Sequence, residues 1–154
     1  LTATDYYYIA QAAVCAKNCT IADSISKKYV ELYPEQPQGY SFNVQAAKLC
    51  DVDSSQGLAV EPITKYNAFL MKDSVKNATT IYRNLYYLLL FYNDKAKDYV
   101  KALDVARKML SIMPTDQFVP PLIPQLEKLA AQQSGGTAPG GGGGKGNSPG
   151  GKSQ

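Results

Sequence analysis

Apolar residues recur at helical spacing through most of the first 133 positions of this 154-residue chain. One clear run puts four apolar side chains on a single helical face, those of Ile21, Ile25, Tyr29 and Leu32. Together with prolines and capping residues, this pattern predicts helices over 5–16, 21–33, 40–49, 57–71, 74–92, 95–112 and 121–132. No segment keeps the strict alternation typical of a β-strand, so we expect an all-α fold.

Three residues mark expected helix ends. Thr20 has the side chain of an N-cap and is expected to begin the helix over 21–33. Pro34 should end that helix, because proline disfavours helical geometry in the residue before it. Pro62 lies inside the pattern over 57–71, so it should either delay the start of that helix or kink it.

The predicted helices recur in pairs along the chain. A shift of 80 positions superposes identical residues, which pair as Tyr6/Tyr86, Tyr7/Tyr87, Ala22/Ala102, Lys28/Lys108 and Pro34/Pro114. Shifts of 34 and 37 relate a more divergent middle copy to the first. The chain is therefore expected to hold three helical hairpins and a terminal helix, over about 3–36, 37–73, 74–117 and 118–133.

These hairpins resemble the tetratricopeptide repeat, a helix–turn–helix unit of about 34 residues. Both outer copies carry the family's aromatic, small and proline positions at its spacing, namely Tyr6, Ala22 and Pro34 in the first and Tyr86, Ala102 and Pro114 in the third. The middle copy has Met71 where the closing proline would fall. The resemblance implies a right-handed α-solenoid with a C-terminal capping helix. Its tyrosine-rich form is similar to tetratricopeptide modules of bacterial cell-envelope proteins, which implies an envelope or periplasmic location.

The resemblance also implies a binding surface. In the family, the first helix of each copy lines a concave groove that holds an extended peptide or a helix of a partner protein. The positions that would face this groove are Tyr7, Gln11, Ser41, Gln45, Lys48, Asn84, Tyr87 and Phe91. Members that grip a terminal carboxylate begin a lysine and asparagine clamp where this chain has Tyr7, Ser41 and Tyr87, so a neutral or weakly polar segment is the expected ligand. The alternative is that Tyr7, Tyr87 and Phe91 pack in the core.

Composition and charge narrow the classes of function. The chain has no His, which removes the commonest general base and the usual zinc ligand. No motif links the scattered carboxylates Glu61, Asp94 and Asp98, so no catalytic residue, metal site or cofactor is predicted. The net charge is +3, and Lys145 and Lys152 contribute two of these charges. The first 133 residues are therefore nearly neutral and show no basic surface typical of nucleic-acid binding. No apolar run approaches the roughly 18 residues that a membrane-spanning helix needs.

The cysteines and the glycines carry further information. The odd number of cysteines, Cys15, Cys19 and Cys50, favours small buried residues near helix ends over a disulfide framework. A Cys19–Cys50 bridge in an oxidising compartment is the alternative, because Cys19 lies in the turn between the first two helices. All glycines except Gly39 and Gly57 lie in 134–154, which has little to bury and is expected to be a flexible tail.

The sequence thus favours a non-catalytic interaction module, or scaffold, that binds a protein or peptide partner and forms part of a larger polypeptide. One alternative is a structural spacer whose groove is filled by its own terminal helix or tail. A less favoured alternative is a helical-repeat domain that binds a small molecule or acts as an enzyme. That alternative would require perturbed carboxylates in a deep pocket.

Overall fold

A computed structural model describes residues 1–135, and within them the backbone forms α-helices and no strand, which confirms the all-α prediction. The α-helices are α1 (Ala3–Cys15), α2 (Cys19–Leu32), α3 (Pro37–Cys50), α4 (Val60–Leu70), α5 (Ser74–Leu90), α6 (Tyr99–Ile112) and α7 (Ile123–Gly135). Short 3-10 turns precede α5 and α7, and a π-helical turn, Phe91–Lys95, follows α5. None of these helices is long and apolar enough to cross a lipid bilayer. The predicted tail, 134–154, lies outside the described residues beyond Gly135.

The start of α2 differs from the prediction. Asn18, not Thr20, is the N-cap, because its side-chain oxygen accepts a hydrogen bond from the Ile21 backbone N–H at 3.1 Å. Lys17 just before it has a φ of +54°, in the left-handed region that commonly ends a helix. The chain therefore reverses within three residues, and Thr20 lies inside the first turn of α2.

Two predicted proline effects are confirmed. The helix α2 ends at Leu32, with Tyr33 as its cap, just before Pro34. The helix α4 begins at Val60 instead of 57, which puts Pro62 in the first turn. Backbone N–H groups in that turn have no partner within the helix, so the proline ring removes no hydrogen bond there.

Each helix packs mainly against the helices before and after it in the chain, and α1 also contacts α3. Small side chains bring these backbones together: Ala10, Ala46 and Ala102 are completely buried. A larger apolar cluster extends from α3 to α7, and two smaller clusters join α1, α2 and α3. The helix α3 contributes to both kinds of cluster, with Val44 in the larger one and Phe42 in a smaller one.

A buried polar contact recurs at two helix junctions. Asn43 of α3 donates its side-chain amide to the Ser26 hydroxyl of α2 at 3.2 Å. Asn84 of α5 donates its amide to the Asn67 side-chain oxygen of α4 at 2.8 Å. The donor follows the acceptor by 17 residues in both cases. The first contact joins α2 to α3, and the second joins α4 to α5.

The prediction of buried free cysteines was wrong. Cys19 and Cys50 form a disulfide with their Cα atoms 5.1 Å apart, and Cys15 is exposed with a free thiol. The physical reason lies in the packing of α2 against α3. The two helices run antiparallel, so the first residue of α2 meets the last residue of α3.

Candidate functional site

Four of the eight predicted groove residues lie together in one cleft. This α1–α3 cleft is open to solvent, has a volume of about 390 Å³ and lies between α1 and α3. Its lining includes the predicted residues Tyr7, Gln11, Ser41 and Gln45. It also includes four residues that the sequence analysis did not assign to the groove: Val14, Cys15, Gln38 and Phe42.

The missed residues follow from helical spacing. Val14 and Cys15 lie three and four residues after Gln11, and Gln38 lies three before Ser41. Residues at these spacings are neighbours on a helix surface, so they join the same face. The sequence therefore contained a usable signal, although the family's inward positions alone did not include it.

Aromatic rings form the apolar part of the cleft. The Tyr7 ring meets the Phe42 ring edge-on, with centroids 5.4 Å apart, and meets Tyr8 in the same way at 5.3 Å. Phe42 is buried, Tyr7 is half-buried and Tyr8 is exposed. Contacts of this kind hold a ring in one orientation. Tyr7 thus belongs both to the packing between α1 and α3 and to the accessible wall of the cleft.

Side-chain amides form the polar part of the cleft. Gln45 donates to the Ser41 hydroxyl at 3.3 Å and is otherwise exposed. Gln11 and Gln38 are exposed, and neither side chain is hydrogen-bonded to another part of residues 1–135. Among residues 1–135, no charged side chain lines this cleft. The surface therefore offers neutral donors and acceptors beside an aromatic face.

Lys48 and Tyr87 meet where α3 approaches α5. The Lys48 ammonium lies 4.5 Å from the centre of the Tyr87 ring, a cation–π contact. Burial lowers the pKa of Lys48, because desolvation disfavours its charged form. The Tyr87 hydroxyl donates to Ser54 at 2.8 Å. These two predicted residues thus contact each other and the loop after α3, and they lie outside the α1–α3 cleft.

The remaining two predicted residues are engaged in the fold. Asn84 is only 8% exposed and donates to Asn67, so it lies in the junction between α4 and α5. Phe91 is half-buried, and its ring packs against Gly57 in the loop between α3 and α4. The chain's own loop therefore covers part of the surface where the groove was expected.

Asp51 holds this loop in place, a role that the sequence pattern did not assign to it. Its carboxylate is buried and accepts hydrogen bonds from the backbone N–H groups of Gln56 and Leu58, each at 3.2 Å. Aspartate commonly organises turns through such bonds to nearby N–H groups. An aspartate directly before a Ser- and Gly-containing segment was the available signal.

The scattered carboxylates stay apart in the structure. Glu61 pairs with Lys65 on α4 at 2.7 Å, and Asp98 caps α6 by accepting the Lys101 backbone N–H at 3.0 Å. Asp94 accepts a hydrogen bond from Asn93. No group of three or more His, Cys, Asp or Glu side chains in the described part of the chain is placed to hold a metal ion.

No protein-family model, curated protein or solved structure matches this chain. The likeness to tetratricopeptide repeats consequently rests on the residues and spacings of the chain itself.

Proposed function

We propose that residues 1–133 form a tetratricopeptide-like interaction module that binds a neutral or weakly polar segment of a partner protein in the α1–α3 cleft. The observation that carries this proposal is the grouping of Tyr7, Gln11, Ser41 and Gln45, from two different hairpins, around one open and uncharged cleft. No catalytic step is part of the proposal. The ligand contributes its backbone and side chains, and the module contributes a shaped surface.

Two features support a solenoid as the architecture of this module, and the resemblance implies that it is right-handed. Helices contact their neighbours in sequence, as stacked hairpins do. The buried contacts Asn43–Ser26 and Asn84–Asn67 recur with the same separation at successive hairpin junctions. A stack of this kind leaves the first helices of the hairpins side by side, and α1 and α3 line the proposed cleft in that way.

The chemistry of the cleft suits an extended peptide. The Tyr7 face offers apolar contact with little loss of side-chain entropy, because its ring is already held by Phe42. The free amides of Gln11 and Gln38 can each donate to and accept from a peptide backbone. Without a charged side chain in the lining, the cleft favours a neutral segment over an acidic or basic one.

The disulfide supports an extracytoplasmic location. Disulfides such as Cys19–Cys50 persist in oxidising compartments and are rare in the cytosol. We therefore include the bacterial cell envelope, or periplasm, in the proposal.

Cys15 allows a direct test, because its free thiol is exposed in the lining of the cleft. A benzophenone maleimide attached to Cys15 should cross-link the partner segment on illumination in an extract of the source cells. The matched control is Cys15→Ser/Lys28→Cys, which carries the same reagent on the exposed face of α2. A segment linked from Cys15 and not from position 28 supports the proposal; identical products from both positions contradict it.

The linked segment can then be synthesised and its affinity measured by fluorescence anisotropy. Tyr7→Ala is expected to weaken binding by about tenfold or more, since buried tyrosines often dominate peptide interfaces. Tyr86→Ala is the matched control, because it removes a similar edge contact, to Phe118, away from the cleft. Equal affinity in both variants would exclude the α1–α3 cleft as the binding site.

A structural spacer is the second candidate, favoured by the loop that covers Phe91. It is the better description if neither labelled position yields a specific cross-link.

A further inference from the structure

A second cleft lies where α4, α5 and α6 meet. This α4–α6 cleft is bounded by α4, α5 and α6 and has a volume of about 340 Å³. Residues that line it include Asn67, Met71, Leu85, Leu88, Val105 and Lys108. Small-molecule pockets have volumes of about 300 to 1,000 Å³, mostly apolar walls and a few polar groups, so this cleft falls within their range.

The polar groups of the cleft are donors with free capacity. Asn67 is 9% exposed, and its side-chain oxygen is occupied by Asn84, while its amide nitrogen has no hydrogen-bond partner in residues 1–135. No fully buried side-chain polar atom of these residues lacks a partner, so the Asn67 nitrogen keeps access to the cleft. Lys108 at the edge is exposed and forms no ion pair with a described residue.

The other polar side chains of the lining offer a ligand no further hydrogen-bond donor. Thr64 and Ser111 use their hydroxyl hydrogens on backbone carbonyls, at 2.8 Å and 2.7 Å. No Asp or Glu in the described part of the chain belongs to the lining. The donors that remain for a ligand are the Asn67 amide and the Lys108 ammonium, and both favour an anionic acceptor.

The corresponding cleft at the preceding hairpin junction has a different lining. It lies between α2 and α4 and is lined by charged residues of both signs: Lys27, Glu31, Glu61 and Lys65. Its buried amide is Asn43, the counterpart of Asn84, whereas the α4–α6 cleft contains Asn67, the acceptor of the other pair. The apolar lining with donors at its edge is therefore not a necessary result of stacking one hairpin on the next.

We infer that the α4–α6 cleft binds a small amphipathic carboxylate. The apolar chain lies against Leu85, Leu88 and Val105, and the carboxylate accepts hydrogen bonds from the donors Asn67 and Lys108. This inference is independent of the α1–α3 cleft, whose described lining contains neither a leucine nor a cationic side chain.

Octanoate is the probe for the first experiment, titrated into the full chain by isothermal calorimetry. We expect one saturable site and weaker binding of 1-octanol, which has the same chain without the charge. Affinity should rise by up to about fourfold for each methylene from hexanoate to octanoate, since each added methylene is buried. Absence of saturable octanoate binding, or octanol binding as tight as octanoate, would overturn the inference.

Variants locate the site. Lys108→Ala should weaken octanoate about three- to fivefold, as expected for an exposed ion pair, and leave octanol unchanged. Lys28→Ala is the matched control, because Lys28 is the counterpart of Lys108 on α2 and lines none of the described clefts. Ala68→Phe places a ring at the exposed α4 edge of the cleft and should abolish binding with helicity unchanged. Unaltered octanoate affinity in Ala68→Phe would exclude this cleft.

Discussion

Gly57 and Phe91 determine, at the scale of single residues, how the loop after α3 is placed. Gly57 has a φ of +68°, and a Cβ atom there would lie 2.5 Å from the Phe91 ring. The sequence analysis put Gly57 at the start of a helix and Phe91 in the groove. Both differ for one reason: Asp51 accepts the N–H groups of the loop and folds it against the end of α5.

Gly57→Ala should lower the free energy of unfolding by roughly 2–3 kcal/mol, because an alanine at positive φ is strained and its methyl group displaces the Phe91 ring. Urea unfolding followed by circular dichroism measures this change. In a Phe91→Ala background the same substitution should cost only about 1 kcal/mol, the backbone part alone. An equal cost in both backgrounds would show that the ring contact does not matter.

At the scale of elements, the α2–α3 pair is held by a close backbone approach, a buried polar contact and a disulfide. Gly39 lets α3 approach α2 closely, since a Cβ there would lie 3.2 Å from the Val30 backbone nitrogen. The contact between Asn43 and Ser26 satisfies buried polar groups in the same interface. The Cys19–Cys50 disulfide then closes the far end of the pair.

Removal of this disulfide by Cys19→Ser/Cys50→Ser should reduce the free energy of unfolding by roughly 3–4 kcal/mol. The reason is that the unfolded chain gains conformational entropy when the bridge no longer closes the segment between the two residues. Urea unfolding with and without dithiothreitol is the measurement. Reductant should destabilise the wild type and leave the double variant unchanged. Cys15→Ser is the control and should match the wild type, because Cys15 is exposed and unbridged. A reductant effect of equal size in the double variant would refute this account.

At the scale of the whole molecule, α7 packs against α6 and adds the last described helix to the larger apolar cluster. Val119, Leu126 and Ala130 are buried and belong to this cluster. Hairpin arrays need such a terminal element, because each hairpin leaves one apolar face uncovered.

A chain ending at 117 should therefore be less stable than a chain ending at 135, by roughly 3–6 kcal/mol for the burial of Val119 and Leu126 alone. Thermal unfolding and size-exclusion chromatography compare the two, and the shorter chain is expected to self-associate through the uncovered face. Equal midpoints and equal elution volumes would show that α7 contributes nothing to the core.

The α1–α3 cleft unites the predicted groove residues of α1 with two of the three on α3, and those of α5 lie elsewhere. The resemblance assigned Tyr7, Gln11, Ser41 and Gln45 to one groove, and the structure places them around one cleft. The sequence pattern carried no information on where the nine-residue loop between α3 and α4 lies, and this loop covers Phe91. The sequence likewise could not show that Asn84 is buried between α4 and α5. A polar residue on an apolar helix face is expected either in a binding groove or as a hydrogen-bonded amide in the core.

The sequence by itself determined the all-α class, the helices and the approximate position of most of their ends. These properties depend on local spacing, on prolines and on side chains that cap or stop a helix within a few residues. Only the tertiary structure decided which cysteines are bridged, where the loop after α3 lies and which side chains line each cleft. Those properties depend on distances between residues far apart in sequence, and such distances arise when the helices pack.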